Sequence, residues 1–445
     1  MKFFGKDKDS QGSRYWLFGL KVFEIRQLPR CRKTYLLGIC IKEKASERDP
    51  EKQPSNLAMQ QTILLAGVET KLLTLGLYYK DLPPDERYVL CFDHLQYHFA
   101  ECIDAWTFFR YLQKRGIRAK YVVRRENALF KKLQQTNQLK DIIPVSSEME
   151  LLTDYPDIIA RSRLVISSFN FELSGIFKQL PFLKFIFIEH GVTLLKEWTS
   201  HWYAGDKFDG ILIPTAATGK YYEQIGFHFE SCVPYHCGLS RWDLLSPATK
   251  EKEERKIFIF FTSRLSFRQG VENRFEIRDE YMKRLLSFIS RLKLLIKGND
   301  RISLHISLHH SIYEHDNHFN GEEILNGINF VPMSEISTMC READMCITDF
   351  SSIWSDFLYR NVPVLFYCFD SDIKYPNSDD MIGWAADKID EMLYNGCRDE
   401  ETALALVKHY MARDFQLESE YLKKNDEIFW ARGNNCERLW ELVNK

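Results

Sequence analysis

The chain has 445 residues, 45% apolar and 27% charged, which gives length for two domains and too much apolar content for disorder. A formal net charge of −2 offers no overall attraction for nucleic acid, and no uncharged apolar run reaches the length of a bilayer span. The start, MKFFGKDKDS, lacks the apolar core of a secretory signal, so the eleven scattered cysteines, none in a CxxC pair, read as reduced thiols of a cytoplasmic enzyme. Cys232 and Cys237 are near each other, but two thiols alone make a poor metal site.

Charge is uneven along the chain. Residues 1–44 carry 11 Lys/Arg against 4 Asp/Glu, an excess of +7, so the remainder must hold −9. Within this basic arm, Tyr15-Trp16-Leu17-Phe18-Gly19-Leu20 is echoed nineteen residues later by Thr34-Tyr35-Leu36-Leu37-Gly38-Ile39. Each copy reads as a short strand with a central glycine. The pair is either a hairpin packed on the body or an interfacial anchor, and basic residues beside apolar ones suit an anionic membrane surface. Residues 45–60, polar and with two prolines, read as a linker.

Strand and helix patterns then alternate. Strands are expected at 87–92, 119–123, 164–168 and 183–188, with helices at 97–113 and over ELSGIFKQL. The pattern restarts with strands at 256–261, 302–308, 344–347 and 362–367 and helices at 278–296, 335–342 and 352–359. The tail from about 400 reads as helical. Short apolar strands alternating with helices mean parallel βαβ units, and two such sets suggest two Rossmann-like domains facing a cleft, the GT-B type of α/β fold. The expected division is an arm at 1–44, a linker at 45–60, an acceptor domain at 61–240 and a donor domain at 241–445. Neither GxGxxG after a strand nor GxxxxGK[ST] is present, which disfavours dehydrogenases and P-loop kinases.

Six stretches could carry chemistry. In ITDFSSIW a strand ends at Thr348-Asp349 and a helix opens at Ser351-Ser352. This is either simple capping or a phosphate site made of hydroxyls and unpaired backbone N–H groups. In IEHGV a strand ends before His190-Gly191, an imidazole suited to general-base work, or else a loop histidine beside a structural glycine. In GLSRWDL, Arg241 and Asp243 stand two apart. If extended they share a side, and the carboxylate would hold the guanidinium as a phosphate clamp; a surface ion pair is the plainer alternative. His309 and His310 close an apolar strand within RISLHISLHH, and Thr262 and Arg264 close another; no Cys or HExxH frame supports zinc among these histidines. FDSD at 369–372 mimics an Asp-x-Asp metal motif, but the doubled α/β layout favours a metal-free site.

The order of these stretches is more informative than any one of them. Residues 183–375 resemble the CDP-glycerol glycerophosphotransferase family, the teichoic-acid-type polymerases and primases. The family's His-Gly-Thr, Gly-x-Pro-Arg-x-Asp-x-Leu, Pro-Thr-x-Arg, Leu-His-Pro, Thr-Asp-Tyr-Ser-Ser and Pro-x-Leu-Phe-Tyr blocks are similar to segments here. In order these are His190-Gly191-Val192, Gly238–Leu244, Thr262-Ser263-Arg264, Leu308-His309-His310, Thr348–Ser352 and Pro363–Tyr367. Three family prolines are replaced, by Ser240, Phe261 and His310, and Val192 stands where threonine is usual, so the chain reads as a divergent branch.

The resemblance implies transfer of glycerol phosphate, or another polyol phosphate, from CDP-glycerol or CDP-ribitol. The acceptor would be a hydroxyl of a lipid-linked or growing surface polymer, with release of CMP at the inner face of the cell membrane. It further implies His190 as general base and His309 beside the pyrophosphate or leaving group. Arg241, Ser351 and Ser352 would be phosphate ligands, with Thr262, Arg264, Thr348 and Asp349 in support and Gly191, Asp243 and His310 nearby. No metal or other cofactor is expected, since arginine, histidine and the helix start supply positive field. Two alternatives are a GT-B glycosyltransferase using a sugar nucleotide in surface-polysaccharide synthesis and a non-catalytic membrane-associated assembly partner.

Overall fold

The computed structural model describes residues 4–9, 12–17, 20–28, 31–36, 39–45, 56–93, 95, 103–169, 174–192, 194–195, 208–227, 229, 232–247, 252–261, 274–308, 326–370 and 381–445. The first five strands, β1 (Phe4–Asp9), β2 (Gly12–Leu17), β3 (Leu20–Leu28), β4 (Cys31–Leu36) and β5 (Ile39–Ala45), form an antiparallel meander in chain order. The aromatic repeat is thus a repeat of strands. Gly19 and Gly38 lie outside the described residues. The Asn56–Tyr79 helix begins inside the stretch expected to be a linker, because Leu57, Ala58, Met59 and the glutamines after them are good helix formers.

Two parallel sheets follow. The first holds β6 (Tyr88–Phe92), β7 (Ala119–Arg124), β8 (Ile142–Val145), β9 (Ser162–Ser167), β10 (Lys184–Phe187), β11 (Gly210–Ile213) and β12 (Val233–His236), in the spatial order β12-β11-β10-β9-β6-β7-β8. The second holds β13 (Arg255–Phe261), β14 (Ile302–Leu308), β15 (Asn329–Phe330), β16 (Met345–Thr348), β17 (Val364–Tyr367) and β18 (Gly396–Cys397), in the order β15-β14-β13-β16-β17-β18. Counting strands within each sheet, both run 3-2-1-4-5-6, the doubly wound order, and the first adds a seventh strand beyond the sixth. The chain reverses direction across the sheet between β6 and β9 in one and between β13 and β16 in the other. Ligands in such sheets bind beyond the carboxyl ends of the strands at that point.

Central strands are apolar on both faces, as a sheet covered by helices on each side requires: every residue of β16 and β17 is buried. Helices Asp104–Lys114, Ala128–Gln135 and Ser174–Gln179 belong to the first unit, and Arg274–Ile296, Ile336–Glu342 and Trp354–Tyr359 to the second. The tail forms helices Glu400–Ala412, Ser419–Ile428 and Asn435–Val443. The last of these returns to the first unit, where Arg163 donates to Asn444 at 2.6 Å and the Trp430 indole donates to the Ile213 carbonyl at 2.8 Å. Among the described residues, no helix is long and apolar enough to cross a membrane.

Candidate active site

The carboxyl ends of the two sheets meet at one close contact. Gly191 follows β10 of the first sheet and Ser352 follows β16 of the second. A Cβ added at Gly191 would lie 2.4 Å from the Ser352 hydroxyl oxygen and 2.8 Å from its Cβ. Only a residue without a side chain fits there, which explains why a glycine follows His190. Glu189, just before, is buried and holds φ at +60°, an unusual conformation for a residue with a side chain, so the backbone turns sharply before presenting His190.

His190 is half-buried, with its ring 5.9 Å from that of Phe169. Its Nδ1 lies 3.2 Å from the Ser168 carbonyl, at the end of β9 where the first sheet changes direction. A carbonyl can only accept a hydrogen bond, so the neutral imidazole carries its hydrogen on Nδ1 and keeps a lone pair on Nε2. That is the tautomer a general base needs.

Arg241 departs from its expected surroundings. Ser240–Leu244 is a 3-10 turn and not an extended segment, so Arg241 and Asp243 diverge. Asp243 accepts from the backbone N–H groups of Asn435 at 2.7 Å and Cys436 at 2.8 Å, and so caps the last helix. Arg241 instead bridges two other carboxylates. Its Nη1 donates to Asp104 at 2.6 Å and to the His190 carbonyl at 3.2 Å, and its Nε and Nη2 reach Asp356 at 3.1 and 3.2 Å. Its side chain is only 10% exposed. Burial works against the guanidinium charge, but Asp104 and Asp356 outweigh it and raise the pKa, so Arg241 stays charged. These donors face carboxylates and a carbonyl, so the arginine is a strut. It joins the Asp104–Lys114 helix, the His190 loop and the Trp354–Tyr359 helix.

Asp356 is the residue that sequence reading missed. It also accepts from the Trp242 indole at 2.5 Å, and the Trp242 ring stacks on Tyr359. The available signal was an acid inside an otherwise apolar helix, IWSDFLY, where an ionised group needs a buried partner. Asp104 gave no such signal, since it opens its helix where an acid is ordinary, and burial pushes its carboxyl upward against the pull of Arg241.

The turn after β16 is partly self-satisfied. The Thr348 hydroxyl donates to the Phe260 carbonyl at 2.5 Å, tying β16 to β13. Asp349 accepts from the Ser351 N–H at 2.9 Å, and the Ser351 hydroxyl accepts from the Ile353 N–H at 3.4 Å. The helix opens at Trp354, two residues later than expected. Thr348, Asp349 and Ser351 are buried and shape the turn, whereas Ser352, half-buried, is the hydroxyl set against the His190 loop. Thr262, Arg264, His309 and His310 lie outside the described residues, as do Ser371 and Asp372 of the FDSD stretch, whose Phe369 and Asp370 are buried. Of the expected site, the structure therefore brings together His190, Gly191, Arg241, Asp349, Ser351 and Ser352, and sends Asp243 to another task.

Known proteins are similar to this chain in sequence or in fold. Residues 278–445 match the family model described as CDP-Glycerol:Poly(glycerophosphate) glycerophosphotransferase. The minor teichoic acid biosynthesis protein GgaB of Bacillus subtilis (strain 168) is 21% identical over 74% of this chain, and the chain spans 36% of that relative's length. Among solved structures, the wall teichoic acid polymerase TagF superposes with a TM-score of 0.51 at 14% identity, over 87% of this chain and 96% of that one. A variant of the same polymerase soaked with CDPG gives a TM-score of 0.53, with 87% and 95% covered. Residues 278–445, which hold most of the second α/β unit and the helical tail, are thus similar to the CDP-glycerol:poly(glycerophosphate) glycerophosphotransferase family, and the chain shares the fold of a wall teichoic acid polymerase.

Proposed function

We propose that the chain transfers glycerol phosphate from CDP-glycerol to a hydroxyl of a lipid-linked or growing polymer and releases CMP. The observation that carries this reading is the contact of the His190-Gly191 loop with Ser352 across the two sheets. It sets a base from one unit beside the hydroxyl-bearing turn of the other. The acceptor hydroxyl gives its proton to His190 Nε2 as its oxygen bonds to the phosphorus bearing glycerol. The bond from that phosphorus to the bridging oxygen breaks, and CMP leaves with the electron pair. General-base help of this kind typically contributes about 10²–10⁴ in rate.

Ser352 supplies a hydrogen bond to the diphosphate, and His309 is assigned to the leaving group by its sequence block alone. Arg241 acts at one remove, holding the His190 carbonyl and the Asp356 helix so that loop and turn stay in contact. Phosphoryl transfer asks mainly for such positioning and for a fixed positive field. No metal enters this scheme. The enzyme works peripherally at the membrane that carries its acceptor.

Purified protein incubated with a membrane extract and, in turn, CDP-glycerol, CDP-ribitol and UDP-glucose tests the reading. CMP from CDP-glycerol is expected. CMP from CDP-ribitol alone would replace the polyol, and UDP without CMP would make the chain a glycosyltransferase and defeat the proposal.

A further inference from the structure

A cavity of about 530 Å³ opens at the amino end of the second sheet. Such a volume falls within the roughly 300–1,000 Å³ of ordinary ligand sites. Lys252 and Lys256 reach it from the start of β13, Arg341 and Glu342 from the end of the Ile336–Glu342 helix, and Arg360 from beyond the Trp354–Tyr359 helix. The strands run parallel, so the seven residues of β13 place this cavity roughly 20 Å from their carboxyl ends, where His190 meets Ser352.

Arg360 is the fixed part of the cavity. It is 3% exposed. Its Nε donates to the Ser246 carbonyl at 3.0 Å, and its Nη1 to the carbonyls of Cys340 at 2.8 Å and Ala343 at 3.0 Å. These bonds occupy three of the five guanidinium N–H groups. Nη2 donates to no described residue, yet protein does not seal it off, so its two N–H groups face the cavity that the side chain lines. Among the described residues no carboxylate accepts from Arg360. Burial holds its pKa below the ordinary arginine value, with Asp344 and Cys340 acting the other way. A buried cation whose partners are all carbonyls lacks the negative charge that would offset its burial.

The other cations differ in their matching. Lys252 reaches Asp344 at 2.9 Å, and Lys256 reaches Glu342 at 2.7 Å. Arg341 bonds, among the described residues, only to the hydroxyls of Ser337 at 3.4 Å and Thr338 at 3.1 Å. Of the acids on the walls, Glu342 is engaged by Lys256, Glu254 accepts from the Ser303 hydroxyl at 2.6 Å, and Glu253 is exposed. Two guanidinium groups without a bonded carboxylate therefore share one cavity, with two ammonium groups beside them. Guanidinium forks suit phosphate oxygens.

We propose that this cavity is a second phosphate site, shaped for a phosphate ester carried on a polyol and separate from the turn at Ser352. Among the described residues Pro247 is the sole apolar wall and none of the walls is aromatic. An acyl chain or a nucleobase would find no surface to rest on, whereas polyol hydroxyls meet charged and hydroxyl side chains. Arg360 Nη2 and Arg341 take the phosphate oxygens. The anion site stands on this geometry alone. Its occupant, a segment of polyol phosphate polymer held away from the reacting end, rests on the reaction given under Proposed function.

Equilibrium dialysis of the full-length protein tests it, with inorganic phosphate, glycerol 3-phosphate, oligomeric poly(glycerol phosphate) and CMP as probes. Arg341→Glu is expected to weaken binding of the oligomer about tenfold, the effect of losing one charge-assisted contact. Arg360→Lys, which keeps the charge and loses the fork, should weaken it in the same direction. Lys408→Glu makes an equal charge change at an exposed position of another helix and should leave binding unaltered, as should Ser352→Ala. Circular dichroism and thermal melting report the folding of each variant, and exposed Arg341 is the substitution least coupled to it.

Oligomer binding indifferent to Arg341→Glu would overturn the proposal. So would equal loss in Arg341→Glu and Lys408→Glu, which would make net charge responsible, or loss confined to Ser352→Ala, which would return the anion to the catalytic turn. Inorganic phosphate or CMP binding at the Arg341-dependent site as tightly as the oligomer would overturn the polyol assignment. Arg341-dependent binding in a protein that releases no CMP would count against the proposed reaction and leave the phosphate site standing.

Discussion

The two sheets share a strand order, yet their reversal points are used differently. In the first sheet, Asp93 follows β6 and is wholly consumed. It accepts from the Ala105 and Trp106 N–H groups at 3.0 and 3.1 Å, from Tyr121 at 2.8 Å and from Ser168 at 2.5 Å. That carboxylate caps the Asp104–Lys114 helix and fixes the end of β9, whose Ser168 carbonyl in turn orients His190. In the second sheet, Asp349 is likewise turned inward, but the turn beyond it leaves the half-buried Ser352 against the opposite loop. The lesson is a division of labour. Buried acids at strand ends build the scaffold, and the proposed reaction draws on the half-buried imidazole and hydroxyl. Substitutions in the two groups should therefore separate, one moving stability and the other moving rate.

The largest stability effect should follow from the strut. Arg241→Met leaves Asp104 and Asp356 buried without their cation, a loss of about 3–5 kcal/mol. Burial already pushes the Asp104 carboxyl upward against the pull of Arg241, so without the arginine it would ionise at still higher pH in the folded state than in the unfolded. Protonation then relieves the strain, so the deficit should be greatest at alkaline pH and shrink on acidification. Thermal melts across that range check it; a deficit independent of pH would separate Arg241 from those acids.

Glu69 sharpens the comparison, because it is a buried acid whose Oε1 accepts no hydrogen bond. Burial pushes its pKa up to about 7 from 4.5. A raised acid favours the fold while protonated, so stability is full below the unfolded value and declines as pH rises from 4.5 through about 7. The loss is on the order of 3 kcal/mol. Glu69→Gln should flatten this part of the pH–stability curve, as read by urea melts at several pH values.

The smallest expected change in stability, with a clear change in rate, belongs to Gly191→Ala. The added methyl meets Ser352 at 2.4 Å and forces loop and turn apart, at about 1–3 kcal/mol for such overpacking. CMP release should fall more than the melting temperature does. An unaffected rate would mean that this contact is not part of the working site.

Much of the layout is legible in the sequence, for reasons that also explain the gaps. Ile302–Leu308, ISLHISL, alternates apolar and polar residues with the period of a strand, and β14 has those same bounds. β11 and β12, four residues each, are too short to show a period, and Pro234 further masks the second. The blocks holding His190 and Ser352 stand out by residue type and order. Their juxtaposition does not, because it is set by tertiary packing. Arg241 shows the limit most plainly: its nearest acid in sequence, Asp243, is not its partner, and the acids that hold it lie 137 and 115 residues away. No spacing rule reaches that far.

The most direct test of the account is a comparison of wild-type and His190→Ala protein in two assays, equilibrium binding of CDP-glycerol and CMP release with a membrane acceptor. A base acting on the acceptor hydroxyl predicts donor binding close to that of the wild type and a release rate lower by about 10²–10⁴. Release at the wild-type rate would contradict the assignment of His190, and with it the claim that the contact between the two sheets is the catalytic centre.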